Sequence, residues 1–150
     1  MTRSSVSTVP RSTSPIVNAV VLNWNGGERV CTTVASILNS DLPPAATIVV
    51  DNASTDGSVV EIQRRYPEVR LIRNRTNMGF AAGNNVGIRH ALESGADYIL
   101  LLNNDALLEE SALSAMVSSL YSNRDRGAIV PKIYAQTTPG VDNASVEFDV

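Results

Sequence analysis

The sequence predicts an α/β protein in which a mostly parallel sheet forms the middle of three layers, with helices on both faces. Three observations predict it. At 150 residues and 16.0 kDa the chain has the size of one domain, since cores divide only beyond about 250 residues. Short apolar runs of strand length alternate with longer stretches of helical period, the pattern of repeated βα units. Polar, glycine-containing clusters follow the strand candidates, as loops do at the carboxyl edge of such a sheet.

Residues 1–15, MTRSSVSTVPRSTSP, hold eight Ser or Thr, two Pro and no acidic residue. They can bury little apolar area and are expected to be a disordered N-terminal tail. They contain no apolar stretch of the kind a signal peptide needs; their Arg and Ser content loosely resembles an organellar transit peptide, without its amphipathic period. Strands are expected at residues 16–23, 47–51, 69–74, 98–103 and 128–133, where β-branched and Leu content fits strands covered on both faces. Between the first two, Val30, Val34, Ile37 and Leu38 recur at i, i+4, i+7 and i+8 as one apolar stripe, ended by Asp41-Leu42-Pro43-Pro44. A shorter helix is expected at 58–66, with Asp56 or Ser58 to cap its start and Pro67 after its end. A third runs over 82–94, with Val86, Ala91 and Leu92 inward and Gly95 as a left-handed cap. A fourth spans 110–122 through Leu113, Met116, Val117 and Leu120. The main domain is thus 16–134. Residues 135–150 lose this periodicity, apart from a strand candidate at 146–150, and read as the start of a further region.

Composition narrows the function. With 43% hydrophobic and 18% charged residues the chain can build a packed interior. A formal charge of -3 and a pI near 5.1 argue against nucleic-acid binding by bulk electrostatics. Cys31 is the single cysteine and cannot form an internal disulfide. The longest apolar run, 98–102, falls far short of the ~20 residues that span a bilayer. A soluble protein is expected, cytoplasmic or peripheral at a membrane.

Four polar clusters stand at strand ends: Asn23-Trp24-Asn25-Gly26, the loop from Asp51 to Gly57, Asn77-Met78-Gly79-Phe80, and Asn103-Asn104-Asp105. Asp51 follows Thr47-Ile48-Val49-Val50, so a buried strand delivers a carboxylate to the rim. There it can accept the imide NH of uracil or thymine or the ring NH of guanine, or else simply hold the Ser-rich turn that follows. Asp105 ends the run from Ile99, where it suits a divalent cation completed by phosphate oxygens, or else caps the next helix. The glycine turn and small residues of Gly79-Phe80-Ala81-Ala82-Gly83-Asn84-Asn85 let a phosphate approach backbone NH groups at a helix start. Arg64, Arg65, Arg70, Arg73 and Arg75 gather basic charge nearby, for a ligand or for solvent. His90 has no partner at metal-ligand spacing, and Cys31 reads as packing. Trp24 suits either stacking on a base or covering the sheet edge.

Together, VVLNWNG, IVVDNASTDGS, RNRTNMGFAAGNNVGI and YILLLNNDALL resemble, in order and spacing, the donor half of family 2 glycosyltransferases, above all the bacterial rhamnosyltransferase-like subgroup. The resemblance covers residues 16–134. It implies the Rossmann-like GT-A nucleotide-diphospho-sugar transferase fold and an inverting transfer of sugar to an acceptor hydroxyl in cell-surface polysaccharide synthesis. It implies a UDP-, dTDP- or GDP-linked donor and a carbohydrate or lipid-linked acceptor. Asn23 and Asn25 match the loop lining the nucleotide, Asp51 the base-contacting aspartate, and Asp56 lies in the same motif. Asn77, Gly79 and Asn84 match the loop beside ribose and diphosphate. Asn103 to Asp105 occupy the Asp-x-Asp position, where Asp105 would ligate Mg2+ or Mn2+ and Asn103, an amide, replaces the first carboxylate.

The base that takes the acceptor proton lies, in this family, downstream of the metal motif. Asp142, Glu147 and Asp149 do not stand in its context, so the base is unassigned and the chain reads as truncated before it. Two other readings remain: a nucleotidyltransferase-like domain, of which Gly26-Gly27-Glu28-Arg29 is a faint echo, and a receiver-like domain, which Leu22-Asn23 does not supply with an acidic pair.

Overall fold

The computed structural model describes residues 14–123 and 125–134. In chain order the elements are β1 (Val17–Asn23), α1 (Gly27–Leu38), β2 (Ala46–Asp51), α2 (Ser58–Arg65), β3 (Arg70–Arg73), α3 (Phe80–Glu93), β4 (Tyr98–Asn103) and α4 (Ala112–Ser122). The strands form one parallel sheet in the order β3-β2-β1-β4. The chain steps outward from β1 through β2 to β3, then returns across the sheet to β4. That reversal places α3 on the face opposite α1 and α2, because crossovers keep one hand.

The packing follows the alternation of the strands. Val17, Ala19, Val21 and Val49 point into the larger core with Val30, Val34 and Ile37 of α1, Ile62 of α2, and Leu113, Met116 and Val117 of α4. Val20, Ile48 and Val50 point the other way, onto Ala91 of α3. The three layers are therefore those expected. α3 lies close to the sheet because two of its inward positions are glycines: a methyl group on Gly83 would stand 2.5 Å from Leu22 Cδ1, and one on Gly87 2.4 Å from Val20 Cγ1. This seating sets where the first turn of α3 meets the carboxyl edge.

Two expectations are corrected. Residues 128–133 form no strand; among the described residues β4 is one edge of the sheet and β3 the other. The segment has strand-like apolar content, but Pro131 lacks the NH a ladder needs, and Val130 and Ile133 are exposed. Residues 128–131 instead line a groove of about 540 Å³ between β4 and α4. Leu92, read as inward, is exposed on α3 beside that groove, whereas Ala91 is buried. The open edge explains this, since no strand beyond β4 covers that side among the described residues. The remaining boundaries agree within two residues, and Gly95 has the left-handed φ of 82°. Residues 1–13 of the tail expected over 1–15, the region from 135 and its strand at 146–150 lie outside the described residues.

Candidate functional site

In a sheet of order 3-2-1-4 the chain leaves β1 through α1 on one face and reaches β4 through α3 on the other, so the winding reverses between these two strands and a crevice opens at their carboxyl ends. Asn23 ends β1, Asp51 ends β2 beside it in register, and Asn103 ends β4. Asn23 is 0% exposed and Asp51 1%. Asn23 Nδ2 shares its two hydrogens among Asp51 Oδ1 at 3.1 Å, Ser54 Oγ at 3.1 Å and Ser58 Oγ at 2.9 Å, while its Oδ1 accepts from Gly26 NH at 3.2 Å and Asn104 Nδ2 at 3.5 Å. The amide thus ties three of the four polar loops together and is itself enclosed. Asp51 also accepts from the NH of Ser54, at 3.3 Å to Oδ1 and 3.2 Å to Oδ2. It therefore does hold the turn that follows it, and lone pairs remain, chiefly on Oδ2.

The β1 and β2 loops are laced further out. Asn25, at a left-handed φ of 51°, donates its NH to Ser54 Oγ at 2.9 Å and accepts from Thr55 NH at 2.8 Å. Asp56 accepts from Gly27 NH at 2.7 Å, and from Ser58 NH at 3.1 Å and its hydroxyl at 2.6 Å. One carboxylate thereby satisfies free NH groups at the starts of both α1 and α2. Desolvation pushes its pKa up, but the Ser58 and Gly27 hydrogen bonds outweigh it and leave the value below the ordinary 3.8.

On the other side of β2, Asn52 organises the β3–α3 loop. Sequence reasoning missed it, along with Ser54, Ser58 and the bridging role of Asn104; the available signal was an amide directly after a strand-end carboxylate. Asn52 is 1% exposed and bonds Asn74, Asn77, Met78 and Gly79. Asn77 Oδ1 also accepts from Gly79 NH at 2.8 Å. Gly79, at φ 78° and ψ 177°, occupies a region essentially reserved for glycine, and from there α3 starts. Asn84 is buried one turn in, its Nδ2 donating to Phe80 O at 3.0 Å. Arg73 ends β3 in register with Asp51, and neither it nor Arg75 forms an ion pair among the described residues.

Asn103 and Asp105 are exposed beyond β4, and Asp105 makes no hydrogen bond among the described residues. No group of three or more His, Cys, Asp or Glu that could hold a metal occurs among them. One free carboxylate beside two amides fits a Mg2+ or Mn2+ ion whose remaining ligands are phosphate oxygens and water; it does not fit a cation held by protein alone.

Other residues fall into structural places. Arg65 bridges Glu28 of α1 and Glu61 of α2, and Arg64 pairs with Glu61 at 2.8 Å. Arg70 contacts His90 Nδ1 at 3.2 Å. Cys31 is buried in the core, where desolvation raises its pKa. Trp24 is 56% exposed, so it does not cover the sheet edge. No helix among the described residues is long and apolar enough to cross a membrane.

Comparison with known proteins agrees with this geometry. The chain is 32% identical over 110 residues to the galactofuranosyltransferase GlfT1 of Mycolicibacterium smegmatis, a match covering 72% of this chain and 36% of the relative. It is 24% identical over 126 residues to an N-acetylglucosaminyl-diphospho-decaprenol L-rhamnosyltransferase of Mycobacterium tuberculosis, covering 79% of this chain and 41% of that protein. The chain thus spans about two fifths of the length of these curated relatives. Among solved structures, the mannosyltransferase PcManGT of Pyrobaculum calidifontis, in complex with GDP-Man and Mn2+, aligns with a TM-score of 0.62 at 24% identity over 75% of this chain and 36% of its own. S. aureus TarS in complex with UDP-GlcNAc aligns with a TM-score of 0.62 at 20% identity over 84% of this chain and 40% of its own. These two share the GT-A fold. The family description "Glycosyl transferase family 2" matches residues 19–145, most of the chain, and the protein belongs to that family.

Proposed function

We propose that this chain is the nucleotide-sugar-binding part of an inverting glycosyltransferase of cell-surface polysaccharide synthesis. Its donor is a UDP-, dTDP- or GDP-linked sugar and its acceptor a hydroxyl of a carbohydrate or lipid-linked molecule. The observation that carries the reading is the junction at the crevice: Asp51 bonds Asn23, Asn23 accepts from Asn104, and the next residue, Asp105, is an exposed carboxylate with no hydrogen bond among the described residues. On this reading Asp51 would read the base, through the lone pairs that Ser54 leaves on Oδ2, and Asp105 would face the diphosphate. Uracil, thymine and guanine offer a ring NH to such a carboxylate and adenine does not.

Asn77, Gly79 and Asn84 then border the ribose and diphosphate at the start of α3, where free NH groups favour an anion. Asn25 and Asp56 hold the nucleotide-side loops in register. Asp105, with Asn103 beside it, would hold Mg2+ or Mn2+; when bound, the cation supplies positive charge against the leaving diphosphate. In the transfer itself, the acceptor oxygen forms its bond to the anomeric carbon as the bond to the diphosphate oxygen breaks, and the acceptor proton passes to a base. No residue of this chain is assigned as that base; Asp142, Glu147 and Asp149 lie outside the described residues. The Mn2+-bound mannosyltransferase neighbour supports the cation, and the diphospho-decaprenol in the rhamnosyltransferase relative's name supports a lipid-linked acceptor.

Thermal-shift titration with UDP, dTDP, GDP and ATP, each with and without Mn2+, tests the reading. Stabilisation by at least one of the first three, stronger with Mn2+ and reduced in Asp105→Ala, is expected. Asp105→Ala should leave the unliganded protein within about 0.5 kcal/mol of wild type, because the side chain is exposed. No response to UDP, dTDP or GDP, or a response to ATP alone, overturns it.

A further inference from the structure

The Asn52 carboxamide is buried, yet every hydrogen-bonding position it has is used. Its Nδ2 donates to Asn77 Oδ1 at 2.7 Å and to Gly79 O at 3.3 Å; its Oδ1 accepts from Asn74 Nδ2 at 3.1 Å and Met78 NH at 3.0 Å. A carboxamide offers two donor hydrogens and two acceptor lone pairs, so the side chain is saturated. All four partners lie in one segment, 74–79, which contains no helix or strand of its own. The Asn52 backbone is fixed independently: its NH donates to Asn23 O at 2.7 Å. The residue therefore transmits the position of β1 and β2 to a loop whose other hydrogen bond to the sheet, among the described residues, is that of Asn74 NH to Asp51 O at 2.8 Å.

We infer that Asn52 is a positioning residue for the donor nucleotide: it holds the 74–79 loop and the Gly79 turn in their binding shape before any ligand arrives. The inference rests on the nucleotide-sugar reading above. It touches no ligand itself. Asparagine is required by the arithmetic of donors and acceptors. Aspartate keeps the size and both acceptors but turns lone pairs toward Asn77 Oδ1 and Gly79 O, and alanine empties the hub. A preshaped loop spares the ligand the ordering of that segment, so the loss of the hub appears as weaker binding.

The test compares the full chain with Asn52→Asp, Asn52→Ala and Asn18→Ala, measuring unfolding and the calorimetric affinity for UDP, GDP and dTDP with Mn2+. Asn18 is the control: it is equally buried, on β1, and its Nδ2 donates to Ser94 Oγ at 3.0 Å, far from the 74–79 loop. Affinity is expected to fall roughly tenfold or more in both Asn52 variants, while Asn18→Ala, at a comparable loss of stability, stays within about threefold of wild type. Amide exchange at Met78 and Gly79 should accelerate in Asn52→Asp and not in Asn18→Ala. Burial raises the pKa of the new carboxyl group, and protonation restores one donor, so Asn52→Asp should recover affinity as pH falls from about 8 to about 5. If the Asn52 variants do not fold, Asn74→Ala, which removes one bond at the half-buried rim of the hub, should weaken binding several-fold. Wild-type affinity in the folded variants overturns the inference, as does an equal loss in Asn18→Ala. A wild-type chain that binds no diphosphonucleotide overturns the donor reading itself, and loop exchange that still depends on Asn52 would separate the two failures.

Discussion

Gly87→Ala tests whether the seating of α3 is set by close contact. In an open helix the substitution stabilises by about 1 kcal/mol, because alanine is the better helix former. Here the added carbon stands 2.4 Å from Val20 Cγ1 and 3.0 Å from Val50 Cγ2, against about 3.5–4.0 Å for a relaxed carbon contact. Both valines are 0% exposed on central strands, and a β-branched side chain has little rotamer freedom with which to retreat. Overpacking costs typically 1–3 kcal/mol, and a misfit of more than 1 Å against rigid neighbours belongs in the upper part of that range. The net effect is a loss of about 1–2 kcal/mol, or several degrees in Tm for a domain of this size. Gly83→Ala serves as the comparison: its nearest atom, at 2.5 Å, is Cδ1 of Leu22, a partly exposed and more flexible side chain, so its loss should be smaller. In urea unfolding, Val20→Ala combined with Gly87→Ala should cost less than the sum of the two alone. A Gly87→Ala protein more stable than wild type would refute the reasoning, because α3 would then have room to sit as an ordinary surface helix.

Asp56→Ala should loosen the joint starts of α1 and α2, lowering Tm and speeding amide exchange at Gly27 and Ser58, whose NH groups lose their acceptor. Because hydrogen bonds depress its folded pKa below the unfolded 3.8, the stabilising contribution of Asp56 is complete above that value. It is lost as pH falls through the lower folded value, so the wild-type and Asp56→Ala stability curves should converge on acidification below it. Cys31, 1% exposed with its pKa raised by desolvation, should react with a thiol reagent only at the rate of unfolding; fast labelling of the native protein would contradict the buried place of α1. Arg65→Met should lower Tm only slightly, and less still at high salt, because its ion pairs with Glu28 and Glu61 lie at the surface.

The fold was legible because its signals are periodic. The runs 16–23, 47–51 and 98–103 are apolar on both faces, as covered parallel strands must be, and the stripe of Val30, Val34, Ile37 and Leu38 admits one helical face. Residues 128–133 carry the same local signal and form no strand, since a strand is a property of a pair and β4 offers its outer edge to a segment interrupted by Pro131. Leu92 was misplaced for the same reason: its inward direction depends on cover beyond β4. In the site, the residues with charge were legible one at a time, Asp51 and Asp105 as acids at strand ends. Asn52, Ser54 and Ser58 were not, because their importance lies in partners far away in the sequence.

The division between charge and amide at this edge has a physical reason. A carboxylate with no hydrogen bond buried at a strand end is costly, and one facing carbonyl oxygens more so. An amide supplies donors and acceptors together without charge, so Asn23 and Asn52 can sit enclosed and still tie β1, β2 and the 74–79 loop to one another. Asp51 tolerates burial because Asn23 and Ser54 donate to it. Asp105 has no such donors and is exposed, which is the condition a carboxylate must meet to take a cation from water. The neutral amides thus build the shape, and on the proposed reading the exposed carboxylate of Asp105 is left to meet a diphosphate and its cation. If Asp105 holds a cation as proposed, Asn103 follows the same rule: a second exposed carboxylate two residues away would bind the cation more tightly but would also repel a diphosphate whenever the cation is absent.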